Sequence, residues 1–341
     1  MDLDTPRPWT ARRPARPARA ATLAVAALAL AGCGIRVETP PPPVPVPGPV
    51  EVVRQAAAEA SAELARDAAA ASEATVDEPL FAALEHVRLG SEEHVEALGG
   101  VYSEAEGGVI DPATSDGVEG SVDADAGDDD EAPPAPVDPT ALVLDLVEQA
   151  AAARAAADRV DDAPLAQLLA VVATSRLLAA DALARRLDAD RPELGGAGLP
   201  TVLPQGLGTA DLERLVLAED QAAFAFETIA ARSPEGGVRT RALAAATRHR
   251  ATSEAWARLA GLAEPGLDPR AVSYALDGAA DTAESRKVLG ADVEQALVVS
   301  YAALVALADP GSRAELAELH TLATESARRW GLGPTALPGL G

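Results

Sequence analysis

The sequence predicts an all-helical protein, with a C-terminal four-helix bundle preceded by two helical hairpins. Three observations carry this. Ala, Leu, Arg and Glu dominate, while strand signals are scarce. From Asp211 onward, apolar residues recur every three to four positions on four successive segments, the spacing of core-facing helices. Three of those segments also place one polar residue on the apolar stripe: Glu219, His249 and Glu294.

Taken in order, the chain opens with an address. Arg7, Arg12, Arg13, Arg16 and Arg19 make a basic start, and Ala20 to Ala31 form an apolar run too short to span a bilayer comfortably. It ends in Leu30-Ala31-Gly32-Cys33, which looks like a bacterial lipobox. The expectation is a lipoprotein signal peptide over 1–32, cleavage before Cys33 and a diacylated thiol. That makes the membrane a partner through a lipid anchor, and the outer face of the cytoplasmic membrane the location. Cys33 is the lone cysteine, so once it is lipidated no disulfide or thiolate metal site remains.

The tether over 33–49 is proline-rich, a stiff spacer rising roughly 3.1 Å per residue in the polyproline conformation. Two helical patterns follow, about Val50–Glu73 and Pro79–Leu98. The stretch Ser103–Asp138 is acidic, without a basic residue and rich in Gly and Pro, which predicts a disordered insert. A second helical pair spans about Thr140–Val160 and Pro164–Leu187. It echoes the first at an offset of 85 residues: Pro79, Leu80, Leu84, Val87 and Leu98 fall on Pro164, Leu165, Leu169, Val172 and Leu183. A hairpin buries too little surface by itself, so the two should pack on each other or on the bundle. The stretch 191–208 is Gly/Pro-rich and reads as a linker.

The bundle covers 209–341, with helices expected at about Thr209–Arg232, Pro234–Gly261, Ala279–Ala308 and Gly311–Trp330. Thr209 and Ser233 suit N-caps, and Gly261 and Gly331 suit C-terminal turns. Most aromatic residues (Phe224, Phe226, Trp256, Tyr274, Tyr301, Trp330) fall here, so this core is the most sharply specified. Pro265 to Asp277 forms a long crossover between the second and third helices. A four-helix bundle with such a middle connection follows the ferritin-like plan.

Some functions are excluded. A net charge of −25 argues against a nucleic-acid partner, because phosphate binding needs clustered Lys and Arg. The sequence also contains no glycine-rich phosphate loop, no HExxH and no nucleophile elbow.

Several short motifs of the bundle resemble a known family. Ala218-Glu219-Asp220-Gln221-Ala222-Ala223-Phe224, His249-Arg250-Ala251, Tyr274, Glu294, Arg328-Arg329-Trp330 and Leu337-Pro338-Gly339-Leu340 are similar to a ferritin-like domain of unknown function. That domain recurs in envelope lipoproteins of high-GC Gram-positive bacteria. The resemblance implies a fold and a location, and no activity.

A ferritin-like di-metal site needs a Glu on each of two helices and Glu-x-x-His on each of the other two. Glu219 and Glu294 fit the single-Glu positions and His249 fits one histidine. Ala246 stands three residues before His249, and Ala317 three before His320, so both Glu-x-x-His pairs are incomplete. Two readings follow. In one, Glu219, His249 and Glu294 form a buried polar cluster or small-ligand site, reached by Tyr274 or Tyr301, with no catalytic residue and no cofactor. In the other, the same three residues hold iron or manganese in a metal store or oxidase. The first makes the chain a binding or scaffold module for an envelope protein or small ligand. His86 and His94, eight apart on one helix, are too widely spaced to share an ion and read as solvated or interfacial.

Overall fold

Asp and Pro start the helices of the first half. The computed structural model describes residues 46–103, 108–110, 137–196, 198–234, 236–276 and 280–340. The expected signal segment 1–32, Cys33 and most of the expected tether lie outside the described residues, as do 104–107 and 111–136 of the acidic insert. Helix α1 spans Pro49–Glu73, α2 Glu78–Ala97, α3 Pro139–Arg159 and α4 Ala163–Leu187. Each carries Pro at its first positions, where the missing N–H costs nothing. Asp77 caps α2 by accepting from the Leu80 N–H (2.8 Å), and Asp162 caps α4 by accepting from the Leu165 N–H (2.8 Å). The two caps stand 85 residues apart, the offset of the repeat. Leu84, Val87 and Leu98 are buried, and so are their counterparts Leu169, Val172 and Leu183.

The insert does not begin as a featureless segment. Strand β1 (Val101–Ser103) pairs antiparallel with β2 (Gly108–Ile110), Tyr102 facing Val109 in the register. The expectation of disorder from Ser103 is corrected here. Val101, Tyr102, Val109 and Ile110 are strand formers at the end of a run otherwise too acidic to fold.

The bundle consists of α5 (Thr209–Arg232), α6 (Gly237–Leu259), α7 (Ala283–Leu307) and α8 (Ala314–Arg329). Two expected caps are wrong. Gly208, not Thr209, is the N-cap of α5, and the Asp211 carboxylate reaches back to accept from the Gly208 N–H at 3.0 Å. Ser233 closes α5 rather than opening α6, its hydroxyl donating to the Ile229 carbonyl at 2.7 Å. Gly236, with φ at 130°, then turns the chain and delays α6 to Gly237. Helix α7 starts later than expected because Thr282 and Ser285 cap it reciprocally, each side-chain oxygen accepting from the other's N–H at 3.0 Å. Gly261 and Gly331 do occupy left-handed C-terminal turns.

Consecutive helices pair, α1 with α2, α3 with α4, α5 with α6 and α7 with α8, and α5 also packs on α7. Helix α4 joins the halves, touching α2 and α3 on one side and α7 and α8 on the other. Its sequence, APLAQLLAVVATSRLLAADALARRL, is apolar around most of its circumference, which only an inner helix tolerates. Together with α7 it is long and apolar enough to cross a membrane, yet most of that stretch of α4 is buried in this core. Leu165 and Leu169 of α4 share one core with Leu297, Tyr301 and Leu304 of α7 and Leu316 of α8.

The stretch 191–208 is a packed strap rather than a loose linker. Arg191 binds Asp181, the Thr201 N–H donates to Glu315 (2.8 Å), and the Gln205 carbonyl accepts from the Asp309 N–H (2.9 Å). The residues 47–341 thus form one compact unit.

Candidate functional site

The three polar residues that interrupt the apolar stripes meet inside the bundle. Glu219 on α5, His249 on α6 and Glu294 on α7 are each at most 3% exposed. The imidazole lies between the carboxylates, Nδ1 2.7 Å from Glu219 Oε2 and Nε2 3.1 Å from Glu294 Oε1. Tyr301 donates its hydroxyl to Glu219 Oε1, and Ser326 of α8 donates to Glu294 Oε1. Arg248 reaches in from α6, its Nη2 2.9 Å from Glu294 Oε1 and 3.1 Å from the Ser326 hydroxyl. All four bundle helices therefore hold this cluster.

Its electrostatics follow from the geometry. Burial pushes the His249 ring towards neutrality, but Glu294 and Glu219 outweigh it and its pKa is pushed up to about 9. Burial likewise opposes ionisation of Glu294, yet His249 and Arg248 hold its carboxyl below the usual range. Burial and the Glu219 charge drive the Tyr301 hydroxyl well above its ordinary value, so it remains a donor. Two cations face two carboxylates, His249 from inside the bundle and Arg248 from its partly exposed edge. Phe226 stacks on the imidazole with centroids 5.4 Å apart and planes 10° from parallel, which fixes the ring's tilt.

Tyr274 is not part of this cluster, contrary to expectation. It belongs to a neighbouring group on the α6–α7 crossover. Its hydroxyl donates to Asp220 Oδ2 (2.7 Å) and accepts from the Ala271 N–H (2.9 Å), while Asp220 Oδ1 accepts from Arg250 Nη1 at 2.5 Å. The helical step from Glu219 to Asp220 turns the second carboxylate from the interior towards the crossover. Tyr274 therefore pins that loop to α5.

A metal would have to take a lone pair from His249. Nδ1 faces Glu219, and Nε2 faces both Glu294 at 3.1 Å and Arg248 Nη2 at 2.9 Å, so each ring nitrogen is already engaged within the protein. The two carboxylates approach opposite ends of the ring instead of converging on a shared point. Among the described residues no group of three or more His, Cys, Asp or Glu side chains is arranged to hold a metal ion. A metal bound by this trio would have to displace these His249 contacts. One atom is left over: Glu294 Oε2 is buried with no hydrogen-bond partner among the described residues.

The remaining histidines serve packing. His94 Nε2 is 2.9 Å from the Ala336 carbonyl, and His320 Nε2 is 3.1 Å from that of Pro338, so rings from α2 and α8 hold the C-terminal tail. Burial depresses both pKa values to about 4, so both rings are neutral near pH 7 and donate through Nε2. His86 is only half-buried. Sequence reasoning missed three buried arginines, Arg176, Arg286 and Arg313. Arg313 donates to the carbonyls of Ala308, Ala157 and Val160, stitching α3 to the end of α7. Arg176 donates to Gln149, Ala57 and Ser61 from the middle of α4. The signal for Arg176 was present, a lone cation inside an apolar run.

The segment that builds the cluster has relatives. Residues 212–341 match a domain of unknown function, DUF4439. The match covers all of the cluster, from Glu219 to Ser326, and runs on through the tail that His94 and His320 hold. No curated protein and no solved structure matches the chain.

Proposed function

We propose that this chain is a lipid-anchored protein of the cell envelope with a ferritin-like bundle, acting as a non-catalytic binding or scaffold module. The observation that carries the reading is the His249 imidazole, held at both nitrogens between Glu219 and Glu294 with nothing left to offer a substrate. A catalytic base needs a free lone pair and access, and this ring has neither. The charges instead specify which helix faces meet, since any other register strands one of them.

The ferritin-like reading is supported by two helix pairs, α5–α6 and α7–α8, joined by the long connection 260–282 that Tyr274 pins to α5. The envelope reading rests on the sequence Leu30-Ala31-Gly32-Cys33 and the proline tether behind it. A competing reading, a metal store or oxidase using Glu219, His249 and Glu294 with iron or manganese, draws on one observation: the partnerless Oε2 of Glu294.

Metal analysis of the full chain purified without chelator separates the two. The structural reading expects less than a tenth of an equivalent of any transition metal and a melting midpoint unmoved by chelator. Near-stoichiometric iron or manganese, lost together with stability on chelation, would overturn it.

A further inference from the structure

Between α4 and α8, away from the central cluster, lies a half-open cleft of about 350 Å³. Arg185, Arg191, Arg328 and Arg329 line it, facing two carboxylates, Asp181 and Glu325. Four guanidinium groups against two carboxylates leave a cationic hollow on a chain whose net charge is −25. Three of the arginines are tied down: Arg185 and Arg191 each lie 2.7 Å from a different oxygen of the buried Asp181, and Arg329 pairs with Glu325. Arg328 has no such partner. Its Nε and Nη2 are buried, and no acceptor among the described residues meets either.

Turned towards the cleft, a guanidinium with two donors that lack a partner, beside three further arginines, is half of a bidentate ion pair. The missing half is an anion with several acceptor oxygens. The cleft is larger than a bare anion requires and falls within the range of small-molecule sites, with Leu178 supplying an apolar wall. We propose that it binds a phosphate group carried by a small molecule or a lipid head group, with Arg328 as the central ligand. Arg185, Arg191 and Arg329 close around the remaining oxygens, and Glu325 opposes them and limits affinity.

Calorimetric titration of inorganic phosphate into the full chain at low ionic strength tests this. One saturable site is expected, weakened at least tenfold by Arg328→Gln and unaffected by Arg66→Gln on the exposed side of α1. Glu325→Gln should tighten it several-fold by removing the opposing charge, and added salt should weaken it. If Arg328→Gln fails to fold, Glu325→Gln decides alone, because Glu325 is partly exposed and only its charge changes. A second arm offers vesicles of phosphatidylglycerol or phosphatidylcholine to a Cys33→Ser chain, which has no lipid of its own. Sedimentation with phosphatidylglycerol that Arg328→Gln abolishes assigns the phosphate to a head group. A phosphate site without vesicle binding assigns it to a soluble compound. No saturable phosphate binding, or binding that neither Arg328→Gln nor Glu325→Gln changes, overturns the proposal.

Discussion

Gly290 of α7 lies directly against the indole of Trp330. A Cβ built on Gly290 would stand 2.6 Å from Trp330 Cδ2 and 2.7 Å from Cε3, closer than non-bonded carbons approach. Trp330 in turn lies 5.1 Å from the Phe226 ring, which stacks on His249, so the glycine sets the depth of the wall beside the charged cluster. Gly290→Ala should cost about 1–3 kcal/mol through overpacking, despite the better helix propensity of Ala. Urea denaturation measures it. A neutral or stabilising result would show that the indole can withdraw.

The three buried histidines should shape stability with pH in opposite directions. His94 and His320 have folded pKa values depressed to about 4 from the ordinary 6.5. Between those values the unfolded chain binds more protons, so stability falls as pH drops from about 6.5 to 4, by roughly 3 kcal/mol for each ring at most. His249 is raised to about 9, so its contribution is complete below pH 6.5 and fades as pH climbs through 9. The urea midpoint should therefore peak near neutrality. His94→Gln and His320→Gln should flatten the acid limb, and His249→Leu the alkaline one. An unchanged acid limb in the double variant would place the proton uptake elsewhere.

Much of this was legible in the sequence because helical periodicity is a local property. Glu219, His249 and Glu294 share apolar stripes, so their meeting follows once four helices close on one core. Tyr301 lies seven residues beyond Glu294, two helical turns, and arrives on the same face. Tyr274 could not be placed in the same way, because a crossover has no period and its direction depends on Asp220 and Arg250. The packed strap 191–208 was hidden because composition reports flexibility of the isolated chain, whereas its hydrogen bonds to Glu315 and Asp309 are tertiary. The role of α4 was half visible: an all-round apolar helix must be interior, but not which helices cover it. Arg328 gave no signal, since an unpaired guanidinium differs from a paired one only in its neighbours.

Segment 111–136 should be dispensable for folding, because its acidic composition cannot bury a core. Replacing it with a short Gly/Ser bridge keeps both β1 and β2, and the melting midpoint should move by no more than a degree or two. A loss of several kcal/mol in urea would show that it packs on the helices.

Cys33→Ser should abolish fatty-acid labelling and membrane retention, as the lipobox sequence implies, while helicity stays unchanged because residues 47–341 form their own compact unit. Membrane fractionation of the wild type and the variant side by side measures this. Identical retention would remove the anchor from the account.

The central cluster gives the sharpest test. Glu219→Ala leaves the His249 imidazolium and the Tyr301 hydroxyl short of a partner, and Glu294→Ala strands both His249 and Arg248. Breaking a buried pair costs about 3–5 kcal/mol, whereas Ala at the exposed Glu213 of α5 should stay within about 0.5 kcal/mol. Glu219→Leu combined with His249→Leu should recover part of the loss, because it removes one charge of each sign and leaves Arg248 paired with Glu294. A metal site predicts a different pattern: chelator would lower the wild-type midpoint, and each single variant would lose its response to chelator. If the double variant is no better than the sum of its singles while the wild type melts earlier after chelation, the three side chains are ligands, and the charges are balanced by an ion rather than by one another.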